Sequence, residues 1–349
     1  MASTKKKKSV NTTNLIMYVI IGIAILAGLF FVFQPSGNEN IDTSSSQVIE
    51  ETPKGQEIKV AADGTKYIVD PSKIRGGGPP KDGIPSIDNP KFVSVDEADE
   101  WIEGNELILV MEHKGEKRIY PLQIMVWHEI VNDNIAGDPI LITYCPLCGS
   151  GIAYERTIDG GAVEFGTSGK LYNSNLVMYD RLTDTYWSQI DGVAIVGELT
   201  GSELTDISID TVSWGEYTEF AENRDAQVLS QDTGFSREYG RDPYGNYYTD
   251  SFLIFPVEQE DNRVHAKTVI FGIEVDGAYT AYRESDLLEN SEITDVVNGV
   301  NVKVTREADG IVTIINLDTQ EEIVKERDFW FAWYAFHPET SLYGVEPQS

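Results

Sequence analysis

Hydrophobic and polar residues alternate along much of the chain, in runs rich in Val, Ile, Tyr and Phe that tight-turn pairs separate. Such alternation is typical of half-buried strands, and an Asp-Gly or Lys-Gly pair between two runs is typical of a hairpin turn. Four stretches show this pattern: 106–120, 152–166, 268–282 and 302–316. The pattern predicts a mainly β fold, a β-rich α+β class built from hairpins in mixed or antiparallel sheets.

A few short helices are predicted between the strands. Segments 94–104 and 213–223 each begin with a serine that a glutamate follows three residues later, which is the spacing of a capping box. In segment 121–133 the apolar residues recur at helical spacing, with His128 and Val131 on one face.

The N-terminal segment has a different pattern. Four lysines precede residues 15–33, which carry no charge and whose length as a helix, about 28 Å, is close to the thickness of a bilayer core. We therefore predict a cytoplasmic basic segment over 1–14 and a single-pass transmembrane helix over 15–33. A cleaved signal peptide is the alternative, but this apolar stretch is long for one and no small-residue cleavage site follows it. The lysines predict a cell-membrane protein whose C-terminal part is extracytoplasmic.

Composition divides residues 34–349 into a linker and two folded parts. Residues 34–56 are rich in Ser, Thr, Asn and Glu and are predicted to be a flexible linker. A main extracytoplasmic domain is predicted over 57–283 and a C-terminal β appendage over 284–349. The chain has 57 acidic and 27 basic residues and a net charge of −30. Such a surface repels polyanions, so no nucleic-acid partner is expected.

Candidate chemistry centres on the motif CPLC, whose Cys145 and Cys148 are the only two cysteines of the chain. Four interpretations stay open: a redox-active dithiol, part of a metal site, a structural disulfide, or two buried thiols that pack as small apolar groups. A strand is predicted on each side of the motif. A thioredoxin fold, in which a helix follows the motif, is therefore not predicted.

A metal site would need ligands besides the two thiols. The chain has four histidines: His113, His128, His265 and His337. Cys145, Cys148, His128 and His337 would satisfy the ligand number of a copper or zinc site. In the redox interpretation, His128 would instead tune the thiols as a base.

Polar and aromatic side chains are concentrated in residues 172–189. This composition is common in ligand pockets, and it is also common in tight turns, where Asn and Ser bond to their own backbone. The residues predicted to bind a ligand near the thiols are Tyr172, Asn173, Asn175, Asp180, Arg181 and Trp187.

Five motifs carry a resemblance to a known family. They are GGGPPKDGIPSIDNPKF, YPLQIMVWHEIVND, ILITYCPLCGSG, FGTSGKLYNSNLVMYDRLTDTYWSQIDGVAIVG and DTGFSREYGRDPY. Over about Gly76 to Tyr282 the chain resembles the proteins grouped as domain of unknown function 3179. The resemblance implies an exported or membrane-anchored globular domain and brings no established reaction. Some members are described as selenoproteins at the position of the CPLC motif, which implies redox chemistry for Cys145 and Cys148.

The leading hypothesis is a membrane-anchored extracytoplasmic protein with a redox-active Cys145–Cys148 pair. His128 would adjust the reactivity of the thiols, and an envelope redox or electron-transfer protein would be the partner. The first alternative is a copper- or zinc-binding protein. The second is a non-catalytic surface module that binds a ligand or another protein, in which the two cysteines form a structural disulfide. No cofactor follows from the sequence beyond the copper or zinc of the first alternative.

Overall fold

The computed structural model describes residues 41–52 and 55–345. The predicted segments 1–14 and 15–33, and residues 34–40 of the predicted linker, lie outside this part. Among the described residues, no helix combines the length and the hydropathy that a bilayer crossing requires.

The predicted fold class is confirmed, because strands dominate and most neighbours are antiparallel. The largest sheet contains, in spatial order, Gln47–Glu51, Glu57–Val60, Lys66–Tyr67, Ala194–Val196, Tyr186–Ser188, Asn175–Asp180, Phe165–Tyr172 and Arg75–Gly76. A second sheet contains Thr205–Ile207, Ser150–Glu155, Asp138–Cys145 and Ile130–Ile135. A third contains Asp210–Ser213, Leu107–His113, Glu116–Pro121, Gln227–Leu229 and Phe92–Ser94.

Two further sheets lie towards the C-terminus. One contains Glu326–Phe329, Val269–Val275, Ala278–Arg283 and Ser341–Leu342, and the other contains Glu292–Val297, Val300–Arg306 and Val312–Asn316. The first combines strands from both sides of residue 283, so its hydrogen bonds cross the boundary predicted for the appendage. The second lies wholly within the predicted appendage. Part of the predicted linker, Gln47–Glu51, is a strand, because its backbone pairs with Glu57–Val60.

Three of the four predicted hairpins form as expected, and the fourth differs. The turns at 114–115 and 276–277 have positive φ at both central residues, which Lys-Gly and Asp-Gly pairs supply. The 302–316 hairpin also forms. In 152–166, the Asp-Gly turn joins only a ribbon, Thr157–Ile158 with Gly161–Ala162, and the longer strands on either side enter different sheets.

Five α-helices are present in the described residues: Val95–Ala98, Leu122–His128, Trp214–Thr218, Glu284–Asn290 and Trp330–Phe336. Three 3₁₀ turns accompany them: Pro71–Lys73, Ala221–Asn223 and Gly245–Thr249. The side chains of Ser94 and Ser213 cap the first and third helices as predicted. The second helix is shorter than predicted. It ends at the left-handed Glu129 (φ 58°), and Val131 belongs to a strand instead of the helical face.

Candidate functional site

The CPLC motif forms the tight connection between strands Asp138–Cys145 and Ser150–Glu155, as the sequence predicted. The Cys145 carbonyl oxygen accepts hydrogen bonds from the N–H groups of Cys148 (3.1 Å) and Gly149 (2.9 Å). Gly149 has φ +67°, and a Cβ there would lie 3.0 Å from the ring of Phe329. Because a turn with such a bond holds its ends within about 7 Å, the two cysteine Cα atoms lie in the separation range of a disulfide.

The two sulfurs face one acceptor. The thiols of Cys145 and Cys148 are both free and lie 3.9 Å and 3.5 Å from the carbonyl oxygen of Ser174. That carbonyl is fixed because Asn173 and Ser174, with φ of 48° and 65°, form the turn between strands Phe165–Tyr172 and Asn175–Asp180. The Asn175 side-chain amide donates to the Cys148 sulfur at 3.5 Å.

Gln189 connects the polar side chains around the two thiols into one buried hydrogen-bond network. Its side-chain oxygen accepts from the amide of Asn175 (2.6 Å) and from the hydroxyl of Ser150 (3.0 Å). Its amide nitrogen donates to the hydroxyl of Thr143 at 3.0 Å. The Tyr154 hydroxyl donates to the Gln189 backbone carbonyl at 2.6 Å. Because every member has partners in this dry environment, the network holds the sulfur contacts in place.

Residues from a distant loop close the other side of the turn. The hydroxyl of Tyr247 donates to the carbonyl of Leu147, the third residue of the motif, at 3.0 Å. Lys267 holds this tyrosine in turn: its ammonium group lies 3.4 Å from the ring centroid and donates to three backbone carbonyls of the 247–252 loop. The N–H of Phe329 donates to the Cys148 carbonyl at 2.8 Å.

The environment keeps Cys148 protonated. Burial raises the pKa of its thiol, and the neighbouring Cys145 side chain raises that pKa further, whereas the Asn175 hydrogen bond lowers it. Cys148 has no exposed surface, and Cys145 keeps 2 %. Of the two sulfur-bearing residues, Cys145 is therefore the one that an incoming group would reach first.

A cavity of about 750 Å³ opens beside the turn. Tyr144 and Gly149, on either side of the thiol pair, line it together with Phe329. Arg327 and Lys267 bring two cationic side chains to the same wall. The mixture of apolar surface and a few charged groups is common in sites that bind ligands or peptide segments.

The predicted site histidines lie elsewhere. His128 uses both ring nitrogens, one with the Pro85 carbonyl (2.7 Å) and the other with the Tyr239 hydroxyl (2.7 Å). Burial lowers its pKa, which favours the neutral imidazole. His337 stacks on the ring of Tyr279, with centroids 4.2 Å apart, and packs against Trp333. Over the described residues, no three His, Cys, Asp or Glu side chains come together as metal ligands. The predicted copper or zinc set is thus not assembled there.

The predicted ligand-binding segment divides into two parts. Asn175 contacts the Cys148 sulfur, and Asn173, in the neighbouring turn, joins the C-terminal helix by donating to the Ala335 carbonyl at 3.3 Å. The remaining four residues make contacts of a structural kind. Asp180 accepts a hydrogen bond from the Trp187 indole at 3.0 Å. Arg181 forms an ion pair with Asp88 at 2.6 Å. The ring of Tyr172 packs edge to face against that of Phe336. A ligand role for the segment stays a prediction.

Ser174 and Gln189 lie within the segment 172–189 that the sequence analysis singled out, whereas Tyr247, which bonds to the motif, was missed. Tyr247 comes from a loop about 100 positions further along the chain, and the two segments meet only in the folded protein.

One family profile matches the chain: protein of unknown function (DUF3179), over residues 81–321. The match covers more than half of the chain. The protein belongs to this family. The family assigned from the five motifs is thereby confirmed, and it supplies no reaction. Nothing among curated proteins or solved structures matches this DUF3179 protein.

Proposed function

We propose that the Cys145–Cys148 pair is a dithiol–disulfide redox centre. The observation that carries the proposal is the CPLC turn, which brings two free thiols together on a single carbonyl acceptor at a backbone separation suited to a disulfide. Closing so short a loop stabilises a folded protein little. A structural disulfide is therefore a weaker explanation for this arrangement than a disulfide that forms and breaks reversibly.

The reaction is a two-electron exchange with a disulfide-bonded partner. The Cys145 thiolate attacks one sulfur of the partner's disulfide, and the partner's other sulfur leaves as a thiolate that takes up a proton. Cys148 then loses its proton and attacks Cys145, which releases the second partner sulfur. The partner is reduced to two thiols, and the Cys145–Cys148 pair is oxidised to a disulfide.

The cavity beside the turn would bring a bound partner segment next to the motif, and neither Cys145 nor Cys148 lines it. It reaches Tyr144 and Gly149, the residues on either side of the thiol pair, and its volume of about 750 Å³ suits a short extended segment. His128 has no part in this scheme, since both of its ring nitrogens are engaged elsewhere.

The N-terminal segment bears on where in the cell this chemistry takes place. We propose that residues 15–33 anchor the protein in the cell membrane and that its folded part faces an extracytoplasmic redox or electron-transfer partner. The support is the uncharged stretch that follows four lysines. After alkaline carbonate extraction, the full chain is expected to stay with the membranes, and a variant without residues 1–33 to be released.

The decisive experiment is a redox titration of the full chain, purified in mild detergent without chelator or reductant. Free thiols are counted by alkylation and mass spectrometry across a series of glutathione buffers. We expect a two-electron transition with a midpoint above about −300 mV, since structural disulfides commonly lie below this value. Cys145→Ser and Cys148→Ser should each abolish it.

Two outcomes would overturn the proposal. Thiols that stay reduced under every buffer and react only after unfolding would make Cys145 and Cys148 inert packing groups. About one copper or zinc ion per chain in the same sample, lost in Cys148→Ser, would favour the metal-binding alternative instead.

A further inference from the structure

Segment 244–258 packs over the CPLC turn. Its residue Tyr247 donates to the carbonyl of Leu147, which lies between the two cysteines, at 3.0 Å. Tyr247 and Leu147 belong to the same buried apolar cluster as Cys145 and Cys148. Because both thiols are buried, a disulfide-bonded partner reaches them only after part of this cover has moved.

Few backbone hydrogen bonds fix this segment. Its only regular element is the 3₁₀ turn Gly245–Thr249. In the described part of the chain, residues 251–258 belong to no helix or strand and form no hydrogen bond between two backbone groups. A segment with so few backbone bonds opens at a lower free-energy cost than the surrounding sheets.

Lys267 is the inner attachment of the segment. Its side chain is buried, and its ammonium group donates to the backbone carbonyls of Tyr247, Asp250 and Phe252. The same group lies 3.4 Å from the centroid of the Tyr247 ring. Burial lowers the pKa of Lys267, and the negative charge of Asp250 only partly offsets this effect. One side chain therefore holds three points of the segment over the turn.

Glu258 is the outer attachment. Its backbone N–H donates to the side-chain oxygen of Asn173 at 3.0 Å, and its carboxylate pairs with Lys73 at 2.8 Å. The Tyr172 hydroxyl donates to the same carboxylate at 3.4 Å. Asn173 precedes Ser174, whose carbonyl oxygen faces both sulfurs. The outer attachment therefore also ends beside the thiol pair.

The cavity of about 750 Å³ lies against the same segment. Tyr248 and Lys267 both line it. The ring centroid of Tyr248 lies 5.9 Å from that of Tyr247 and 6.3 Å from that of Phe329, whose N–H donates to the Cys148 carbonyl. An outward movement of the two tyrosines would therefore extend the cavity to the CPLC turn.

We propose that segment 244–258 is a lid that opens before Cys145 reacts, and that Lys267 is its latch. This inference adds a regulatory step to the proposed redox function and rests on that function. In the closed state, the bonds of Tyr247 and Lys267 keep the lid on the turn. In the open state, the cavity reaches the sulfurs and admits the partner's disulfide. The observed rate is the open-state rate multiplied by the fraction of molecules that are open.

The test measures access to Cys145 and requires no redox reaction. The reduced full chain in mild detergent is treated with excess N-ethylmaleimide at pH 7.5 and quenched at intervals, and peptide mass spectrometry counts the label. Wild type is compared with Lys267→Met and with Tyr247→Phe, which removes one hydroxyl and keeps the ring. Lys325→Met is the matched control, because Lys325 is also a buried lysine but pairs with Asp210 at 3.0 Å.

We expect Lys267→Met to be labelled at least about ten-fold faster than wild type, because it loses three charge-assisted hydrogen bonds of the closed state. Loss of a positive charge near a thiol raises the thiol pKa and slows labelling, so a faster rate reports access. Tyr247→Phe should be labelled about three- to ten-fold faster, the effect of one lost hydrogen bond. Lys325→Met should keep the wild-type rate.

The urea dependence of the wild-type rate, measured below the unfolding transition, distinguishes lid opening from unfolding. Opening of a short segment exposes little surface, so the rate should rise with urea much less steeply than global unfolding requires. Circular dichroism verifies that each variant is folded.

The two proposals fail in different ways. Folded Lys267→Met and Tyr247→Phe that are both labelled at the wild-type rate would overturn the lid and leave the redox function standing. Equal acceleration in Lys325→Met would do the same, because it would show a general loss of stability. Labelling with the full urea dependence of unfolding would overturn both proposals. The expected labelling rates without a transition in the redox titration would overturn only the redox function.

Discussion

Replacing the buried Asp328 by asparagine should make the stability of the protein less dependent on pH. Burial raises the pKa of this carboxyl from 3.8 to about 7. The folded state therefore holds a proton that the unfolded chain has already released at intermediate pH. Stability associated with this group is fully present below about pH 4 and is lost as the pH rises through about 7.

The size of this change in stability follows from the pKa shift of Asp328. A rise of about three pKa units corresponds to about 4 kcal/mol between low and high pH, as an upper limit for this buried group. Asparagine has nearly the same shape and does not titrate. Its amide stays buried beside Glu326, and a group of that amide left without a partner costs about 1–3 kcal/mol at every pH. The difference between the two proteins should therefore change with pH by up to about 4 kcal/mol, with Asp328→Asn gaining relative stability at pH 8.

The assay is urea unfolding followed by tryptophan fluorescence at fixed ionic strength, from pH 4 to pH 8, with reductant present. Other buried carboxyls change stability in the same direction: burial raises the pKa of Glu129 to about 8 and also raises that of Asp133. These groups are common to both proteins and cancel in the difference. A difference that stays constant within about 0.5 kcal/mol across this range would refute the reasoning, because Asp328 would then not titrate as its burial requires.

Further predictions concern the turn and its neighbours. Gly149→Ala should destabilise the protein by about 1–3 kcal/mol more than Gly160→Ala in urea unfolding, since both positions have positive φ but only Gly149 also meets an aromatic ring. Equal losses would contradict this. Asn175→Ala should raise the pKa of Cys148 by removing its hydrogen bond, so that alkylation in a Cys145→Ser background needs a higher pH; an unchanged alkylation profile would argue against the contact. His128→Gln should leave the midpoint of the redox titration within about 30 mV of wild type.

Local sequence predicted much of the fold because its signals act over few residues. The serine caps at Ser94 and Ser213 and the hairpin turns at 114–115 and 276–277 are set by backbone groups within four residues. The second helix was predicted too long for a related reason. Periodicity describes which side chains could share a face, and it contains nothing about Glu129, whose left-handed conformation ends the helix and starts a strand.

For the candidate site, the chain by itself determined the proximity of Cys145 and Cys148, because two residues of turn separate them. Only the tertiary structure decided what surrounds the sulfurs. Ser174 and Gln189 arrive from another sheet, and Phe329, whose N–H bonds to the Cys148 carbonyl, arrives from a strand far along the chain. It also decided that His128 bonds to Pro85 and Tyr239 away from the thiols. Covalent spacing fixes contacts between near neighbours, whereas contacts between distant segments depend on how whole sheets pack to bury their apolar faces.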